Sequence, residues 1–156
     1  MRVRVTSAGT LGWGGDGGSY TYAPRDPHGN PWPPIPDLWR EVADRVAGPQ
    51  PWDCAIVNWY DSDASLGWHR DLGERDRSKP IVTISLGDAA AWAVRLDEDA
   101  PISRARLESG AVTLLAGRTR MALHTIERVI AAPMFSPLRR PGRVSITLRV
   151  AGVGWS

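Results

Sequence analysis

The sequence has one cysteine, one phenylalanine and one lysine in 156 residues, and it has no apolar stretch long enough to span a bilayer. The lone cysteine, Cys54, excludes an internal disulfide and fits a reducing compartment. Residues 1–6 carry charge with no apolar segment after them, so no signal peptide is predicted. We therefore expect a cytoplasmic protein with no membrane association.

The scarcity of lysine shifts the positive charge to arginine, since Lys79 is the only lysine among 19 basic residues. Arginine pairs bidentately with carboxylates and phosphates, which suits a nucleic acid or a dicarboxylate ligand. A GC-rich genome explains the same bias equally well, so each arginine has to be assigned by its position. The chain also has eight tryptophans, and tryptophan is a stacking surface for bases as well as a core residue.

The N-terminal third predicts loops and one helix. Residues 7–34 are rich in glycine, proline and aromatics, which indicates loops with short strands around Thr6 and residues 20–22. Apolar residues at helical spacing predict a helix over Asp37–Ala47, and Gly48 follows as a helix-ending residue.

From residue 54 onward, short apolar or alternating runs separated by turn residues predict strands. These runs are Cys54–Tyr60, Ile81–Leu86, Ala90–Val94, Ile102–Leu107, Ala111–Leu115, Arg120–Ile126 and Arg143–Val150. Many short strands after one early helix indicate a mainly β protein, a double-stranded β-helix (jelly roll) with one or two flanking helices. We expect one domain over residues 1–156, with a loop-rich cover over 1–36, a helix over 37–48 and the jelly-roll core over 54–152.

Two histidines and one aspartate form the candidate metal site. His69 and Asp71 are two residues apart, so on a strand their side chains point the same way, and His124 lies far downstream. Two imidazoles and a carboxylate are the ligands of a mononuclear non-haem Fe(II) site, which keeps positions open for a cosubstrate and oxygen. The short His-x-Asp motif is weak by itself. In a jelly roll, however, inward side chains near one open end can meet although they are distant in sequence.

The motifs taken together resemble the AlkB family of Fe(II)/2-oxoglutarate dioxygenases, and the N-terminal ones resemble its bacterial branch. The stretches that carry the resemblance are Leu11-Gly12-Trp13, Tyr20-Thr21-Tyr22, Pro31-Trp32-Pro33, Asn58-Trp59-Tyr60, His69-Arg70-Asp71, residues 80–87, His124 and residues 143–149. The resemblance spans residues 7–152, and the ordered set with its spacings is more specific than any single motif.

The resemblance implies an oxidative demethylase that acts on N-alkylated bases in DNA, with RNA as the alternative substrate. It implies Fe(II), 2-oxoglutarate and O2, with release of succinate, carbon dioxide and formaldehyde. The iron ligands and catalytic residues would be His69, Asp71 and His124. The base would come from a single strand or would be flipped out of a duplex, because a stacked base cannot reach the iron. We expect the protein to act as a monomer.

The resemblance also implies a set of residues that bind 2-oxoglutarate. These residues are Asn58, Tyr60, Arg143, Ser145 and Arg149. Arg143 would hold the distal carboxylate with its guanidinium fork, and Arg149 would lie near the iron-bound end of the cosubstrate. Arg139 and Arg140 are rival partners for the carboxylate. Ser145 stands where the family often has asparagine, so its hydrogen bond would reach less far.

Aromatic and apolar side chains would surround the flipped base according to the same resemblance. These side chains are Trp13, Tyr20, Tyr22, Leu66 and Trp68. Trp13 would stack on the base opposite His69, although a loop tryptophan can also simply cover the edge of a core. Bacterial members often have an acid two residues beyond the iron aspartate, where this chain has Gly73. Either Glu74 takes over that contact or the contact is lost.

Two other functions stay open at this point. The same iron chemistry could serve a tRNA, protein or small-molecule substrate. A non-catalytic jelly-roll binding module is the alternative from another class, and the complete ligand set argues against it.

Overall fold

A computed structural model describes residues 3–14, 21–131 and 136–152, which contain eleven strands and one α-helix. The strands are β1 Val3–Gly9, β2 Gly12–Trp13, β3 Tyr22–Ala23, β4 Cys54–Tyr60, β5 Leu66–His69, β6 Ile81–Gly87, β7 Ala89–Arg95, β8 Ser103–Leu107, β9 Val112–Leu115, β10 Leu123–Ile130 and β11 Arg143–Arg149. Helix α1 spans Asp37–Ala47, and a short 3-10 helix spans Gly117–Thr119. Within the described ranges, no helix is both long and apolar enough to cross a membrane.

The strands form two main antiparallel sheets. One sheet has five strands in the order β1-β4-β11-β6-β9, and the other has four in the order β5-β10-β7-β8. Strands β2 and β3 form a separate small hairpin. The described chain is therefore mainly β, as predicted, and its paired antiparallel sheets form a jelly roll.

Strand β11 shows why the sequence alternates there between polar and apolar residues. Its polar side chains at 143, 145, 147 and 149 line a cavity, together with residues of both sheets. Ile146 and Leu148 lie on the opposite face, in the core that packs against helix α1. One face of the five-stranded sheet thus forms the cavity wall, and the other is closed by the helix.

Helix α1 has the predicted bounds Asp37–Ala47, but its packing face is narrower than the apolar spacing indicated. Trp39 and Val42 pack against the core, and Ala43 is fully buried. Leu38 is 67% exposed, because a rotation of about 100° per residue turns it away from that contact face.

Two segments differ from the sequence-based expectations, and a third agrees with them. Strand β10 begins at Leu123 rather than at residue 120, because residues 117–119 form a 3-10 helix. Strand β5 ends at His69, so Asp71 lies in the following loop and not on a strand. The short strand predicted around Thr6 is β1, which spans Val3–Gly9 and pairs with β4 as an edge strand of the large sheet. The proposed division into cover, helix and core remains a prediction.

A tight backbone contact fixes the start of β11. Gly87 has φ of 84°, and a Cβ atom there would lie 2.4 Å from the carbonyl oxygen of Gly142. The Asp88 amide donates to that same oxygen at 2.8 Å, and its carboxylate accepts from the Gly142 amide at 3.0 Å. Glycine at 87 permits this close approach, which holds Arg143 in register next to the connection between β6 and β7.

Truncation of a leucine should cost more stability in the core between the sheet and helix α1 than on the exposed side of the helix. Leu148→Ala removes a side chain that is 0% exposed, so we expect a loss of about 2–5 kcal/mol in the free energy of unfolding. The matched control Leu38→Ala removes an exposed side chain and should change it by less than about 0.5 kcal/mol. Urea unfolding followed by tryptophan fluorescence measures both. Equal effects of the two substitutions would contradict the described core.

Candidate active site

Two histidines lie side by side across the smaller sheet. His69 of β5 pairs directly with His124 of β10, and their ring centroids are 4.2 Å apart. The Nδ1 atom of His69 lies 2.8 Å from the carbonyl oxygen of Gly67, and that of His124 lies 3.1 Å from the carbonyl oxygen of Ala122. A proton on Nδ1 satisfies each carbonyl, which leaves Nε2 of both rings as an electron-pair donor for a metal.

Asp71 completes the cluster from the loop after β5. Its Oδ2 lies 3.5 Å from Nε2 of His124, and its Oδ1 lies 3.2 Å from Nη1 of Arg149. The ligand atoms of His69, Asp71 and His124 all lie within 4.8 Å of one another. This spacing and donor set can hold one metal ion, and the two imidazoles with one carboxylate suit Fe(II).

The local charges favour the protonation states that a metal requires. Burial raises the pKa of Asp71, but the charge and hydrogen bond of Arg149, together with the two neighbouring imidazoles, outweigh burial and bring the pKa below its usual value. Burial lowers the pKa of His124 more than the neighbouring Asp71 raises it. At neutral pH the carboxylate is therefore ionised and this imidazole neutral, which are the forms that bind metal.

The cluster lines a cavity of about 500 Å³ between the two sheets. This volume is typical of sites for small molecules and cofactors. Eleven of the predicted site residues line it, namely Trp13, Tyr22, Asn58, Tyr60, Leu66, His69, Asp71, His124, Arg143, Ser145 and Arg149. The fold therefore brings residues from opposite ends of the sequence around one space.

The register of β4 against β11 assembles the predicted 2-oxoglutarate residues. Tyr60 pairs with Arg143, and Asn58 pairs with Ser145. Burial raises the pKa of Tyr60, although hydrogen bonds with Ser145 and Asn58 oppose the rise. The phenol of Tyr60 is therefore neutral at physiological pH, and its hydroxyl can donate one hydrogen bond.

The guanidinium of Arg143 is buried and only partly hydrogen-bonded. Its Nη2 donates to Oγ of Ser85 at 2.8 Å, whereas its Nε and Nη1 have no hydrogen-bond partner within the described residues. Burial lowers the pKa of Arg143, because the charged form is poorly solvated there. Buried donors without partners are costly and usually mark the place of a ligand or water. A carboxylate in the cavity would satisfy both nitrogens.

The two rival arginines do not line this cavity. Arg139 is exposed, and the guanidinium of Arg140 lies 4.2 Å over the ring of Trp59. Arg140 lines a separate groove next to Arg4 and Val144. Of Arg139, Arg140 and Arg143, only Arg143 lines the cavity.

The candidate base-binding residues separate into two groups. Trp13 and Tyr22 form an edge-on aromatic pair with centroids 4.8 Å apart, and both line the cavity with Leu66. Trp68 does not line it. It is 38% exposed and stacks under the guanidinium of Arg95, 4.9 Å from its ring centroid. Tyr20 lies outside the described residues.

Gly73 and Glu74 occupy different environments. A Cβ atom at Gly73 would lie 3.0 Å from Tyr22 and 3.1 Å from Trp13, so their rings fill the space that a side chain there would need. Glu74 does not line the cavity, because its buried carboxylate pairs with Arg149 at 2.7 Å and with Arg120 at 2.8 Å. Glu74 therefore does not take the place of the acid absent at residue 73.

Arg120 was not predicted as a site residue, and Glu74 was considered only as a substitute for the acid absent at residue 73, not as its buried partner. Their side chains are buried although they lie 46 residues apart. Nothing in the sequence marks this burial, since both residues follow polar, turn-rich segments. Their proximity to His124 and Asp71 along the chain was the one available signal.

Comparison with known proteins agrees with the geometry. The family model described as the 2OG-Fe(II) oxygenase superfamily matches residues 1–149. An alpha-ketoglutarate-dependent dioxygenase AlkB homolog of Caulobacter vibrioides is 37% identical over 157 residues, covering 97% of this chain and 70% of that protein. The DNA N(6)-methyladenine demethylase ALKBH1D of Arabidopsis thaliana is 34% identical over 119 residues, covering 70% of this chain and 27% of that protein.

A solved structure of OsALKBH1 superposes with a TM-score of 0.81 at 26% identity, covering 96% of this chain and 78% of that one. It shares the jelly-roll fold described above. With the two imidazoles and the carboxylate gathered at one cavity, these likenesses mean that the chain belongs to the AlkB family within the 2OG-Fe(II) oxygenase superfamily and is a dioxygenase that uses Fe(II), 2-oxoglutarate and O2.

Proposed function

We propose that this dioxygenase removes alkyl groups from nitrogen atoms of bases in DNA. The observation that carries the proposal is a single cavity that contains both the His69–Asp71–His124 cluster and the unpaired guanidinium nitrogens of Arg143. The name of the Arabidopsis thaliana relative, a DNA N(6)-methyladenine demethylase, supports DNA as the substrate.

The residues fit the family's metal and cosubstrate. His69, Asp71 and His124 would hold Fe(II), since their donor atoms converge and their local charges favour the binding forms. Arg143 would clamp the distal carboxylate of 2-oxoglutarate with the nitrogens that lack a protein partner. When bound, iron and 2-oxoglutarate supply the oxidation with O2, which converts the cosubstrate to succinate and carbon dioxide.

The remaining work of the protein is to orient the groups and exclude water. Asn58, Tyr60 and Ser145 would fix the cosubstrate along the row that the β4–β11 pairing creates. Arg149 contacts Asp71, so it would lie near the metal-bound end of the cosubstrate. The target carbon becomes hydroxylated, and the resulting N-hydroxymethyl group breaks down to formaldehyde and the repaired base.

Trp13 would supply the stacking surface for the base, and Tyr22 supports its ring edge-on. Leu66 adds an apolar contact from the opposite sheet. We assign no role to Trp68, because its ring does not line the cavity and stacks with Arg95 instead. RNA remains the alternative substrate, and the monomeric state and cytoplasmic location remain predictions.

The direct test is a panel of oligonucleotides with defined N-methyl lesions, assayed by mass spectrometry with Fe(II) and 2-oxoglutarate. We expect loss of 14 Da from at least one lesion, about one methylene, together with succinate and formaldehyde. His124→Ala should abolish turnover because it removes a metal ligand, whereas the exposed His28→Ala should keep it. Full turnover by His124→Ala would contradict the metal assignment, and a panel without any product would contradict the substrate.

The cosubstrate assignment predicts a selective effect at Arg143. Arg143→Lys keeps the charge but loses the fork, so we expect the KM for 2-oxoglutarate to rise about 10- to 100-fold, the equivalent of one charged hydrogen bond of about 1.5–3 kcal/mol. Arg139→Lys is the control, because Arg139 is exposed and does not line the cavity. Succinate formation at varied 2-oxoglutarate measures both. An unchanged KM for 2-oxoglutarate in Arg143→Lys would mean that Arg143 does not bind the distal carboxylate.

Two tryptophans give a matched test of base stacking. Trp13→Ala should raise the KM for a methylated oligonucleotide about 10- to 100-fold, because one base–aromatic stack is typically worth roughly 1–3 kcal/mol. Trp68→Ala should leave it unchanged, since that ring stacks with Arg95 outside the cavity. Demethylation kinetics at saturating 2-oxoglutarate distinguish the two. Similar losses in both variants would indicate a different path for the nucleic acid.

A further inference from the structure

We propose that Glu74 is a positioning residue for the metal site, and that it acts by holding Arg149 and Arg120 on either side of Asp71. The inference rests on the proposed role of Asp71 as an iron ligand. Glu74 itself does not line the cavity, so it acts through its two arginine partners.

Arg149 connects Glu74 to the carboxylate of Asp71. Its Nη1 lies 2.7 Å from Oε1 of Glu74 and 3.2 Å from Oδ1 of Asp71. The shorter contact makes Glu74 the main counter-ion of this buried guanidinium. Asp71 therefore shares only one oxygen with Arg149, and its Oδ2 stays on the side of His124, where a metal would bind.

Arg120 connects Glu74 to the backbone of Asp71. Its Nη2 donates to Oε2 of Glu74 at 2.8 Å, and its Nη1 donates to the Asp71 carbonyl oxygen at 3.1 Å. Its Nε donates to the Lys79 carbonyl oxygen at 2.7 Å, which holds the far end of the same loop. The contacts form a closed ring in which Asp71 is fixed both at its main chain and at its carboxylate.

Charge balance explains why an acid is needed at residue 74. Arg120 and Arg149 are buried cations, and Asp71 and Glu74 are the carboxylates that they contact. Without the charge of Glu74, the guanidinium of Arg149 would rest on Asp71 alone and compete with the metal for it. Partners behind a metal ligand typically change metal affinity about 10- to 100-fold when they are replaced.

The same carboxylate reaches the aromatic side of the cavity. The hydroxyl of Tyr22 donates to Oε1 of Glu74, and Nη1 of Arg149 donates to the Tyr22 oxygen at 2.9 Å. Tyr22 packs edge-on against Trp13. Glu74 thus fixes the metal ligand and the proposed base-stacking pair through one buried group.

The test measures binding of Mn(II) alone by electron paramagnetic resonance, with turnover not required. Glu74→Gln keeps the shape and removes the charge, so we expect the Kd for Mn(II) to rise about 10-fold or more. Glu74→Asp restores the charge and should recover part of the affinity. Glu41→Gln removes an exposed helix carboxylate and should match the unmodified protein. Thermal unfolding of the metal-free proteins reports how much of each is folded.

A folded Glu74→Gln protein that binds Mn(II) within about twofold of the unmodified protein would overturn the inference, since the expected effect is about 10-fold or more. If Glu74→Gln does not fold, Arg120→Lys decides. This variant keeps the charge but loses the fork, and unchanged Mn(II) affinity in it would equally overturn the inference. A different result would contradict the proposed metal site itself: His124→Ala would bind Mn(II) as tightly as the unmodified protein does.

Discussion

The antiparallel pairing of β11 with β4 is the constraint on which the site depends. A shift of one residue in this register would turn the polar side chains of β11 into the core and its apolar ones into the cavity. Arg143 would then lose its place next to Tyr60, and Arg149 its place near Asp71. The Gly87–Gly142 contact and the core packing of Leu148 therefore matter for chemistry as well as for stability.

Buried charge at the metal end is stable only because each group has an opposite partner. Desolvation penalises every one of these ions, and burial would raise the pKa of both Asp71 and Glu74. Arg149 outweighs that effect only together with other neighbours, namely the imidazoles beside Asp71 and the Tyr22 and Arg120 hydrogen bonds to Glu74, so both pKa values are lowered. Burial also lowers the pKa of Arg149, but the nearby Asp71, Tyr22 and Glu74 raise it above its usual value. The dioxygenase thus keeps the Asp71 carboxylate ionised although most of the side chain is buried.

Much of the fold followed from local patterns in the sequence. The bounds of α1 and of β4 were predicted correctly, because helical spacing and a bounded apolar run report directly on local structure. The predicted start of β10 was wrong, because hydrophobic periodicity does not distinguish a turn of 3-10 helix from the end of a strand. Burial of Glu74 could not be predicted, because it depends on two arginines that approach only after the sheets pack.

Resemblance to a family supplied the candidate site residues, and the geometry then sorted them. Trp13 and Trp68 were both predicted to bind the base, yet only Trp13 lines the cavity. Strand position alone does not determine the side that a residue faces where the β5–β10 pairing is irregular. The rival arginines were likewise separated by structure, since Arg143 lies on a strand facing inward and Arg140 stacks on Trp59 outside.

The only cysteine has a consequence for an enzyme that handles iron and oxygen. Cys54 is fully buried and pairs with Arg149 in the β4–β11 register. Burial raises the pKa of its thiol to about 12. Since the thiolate is the form that binds metals and reacts with oxidants, burial and the raised pKa disfavour both reactions at this sulfur. The protein thus keeps its one thiol buried and protonated on the strand next to Arg149.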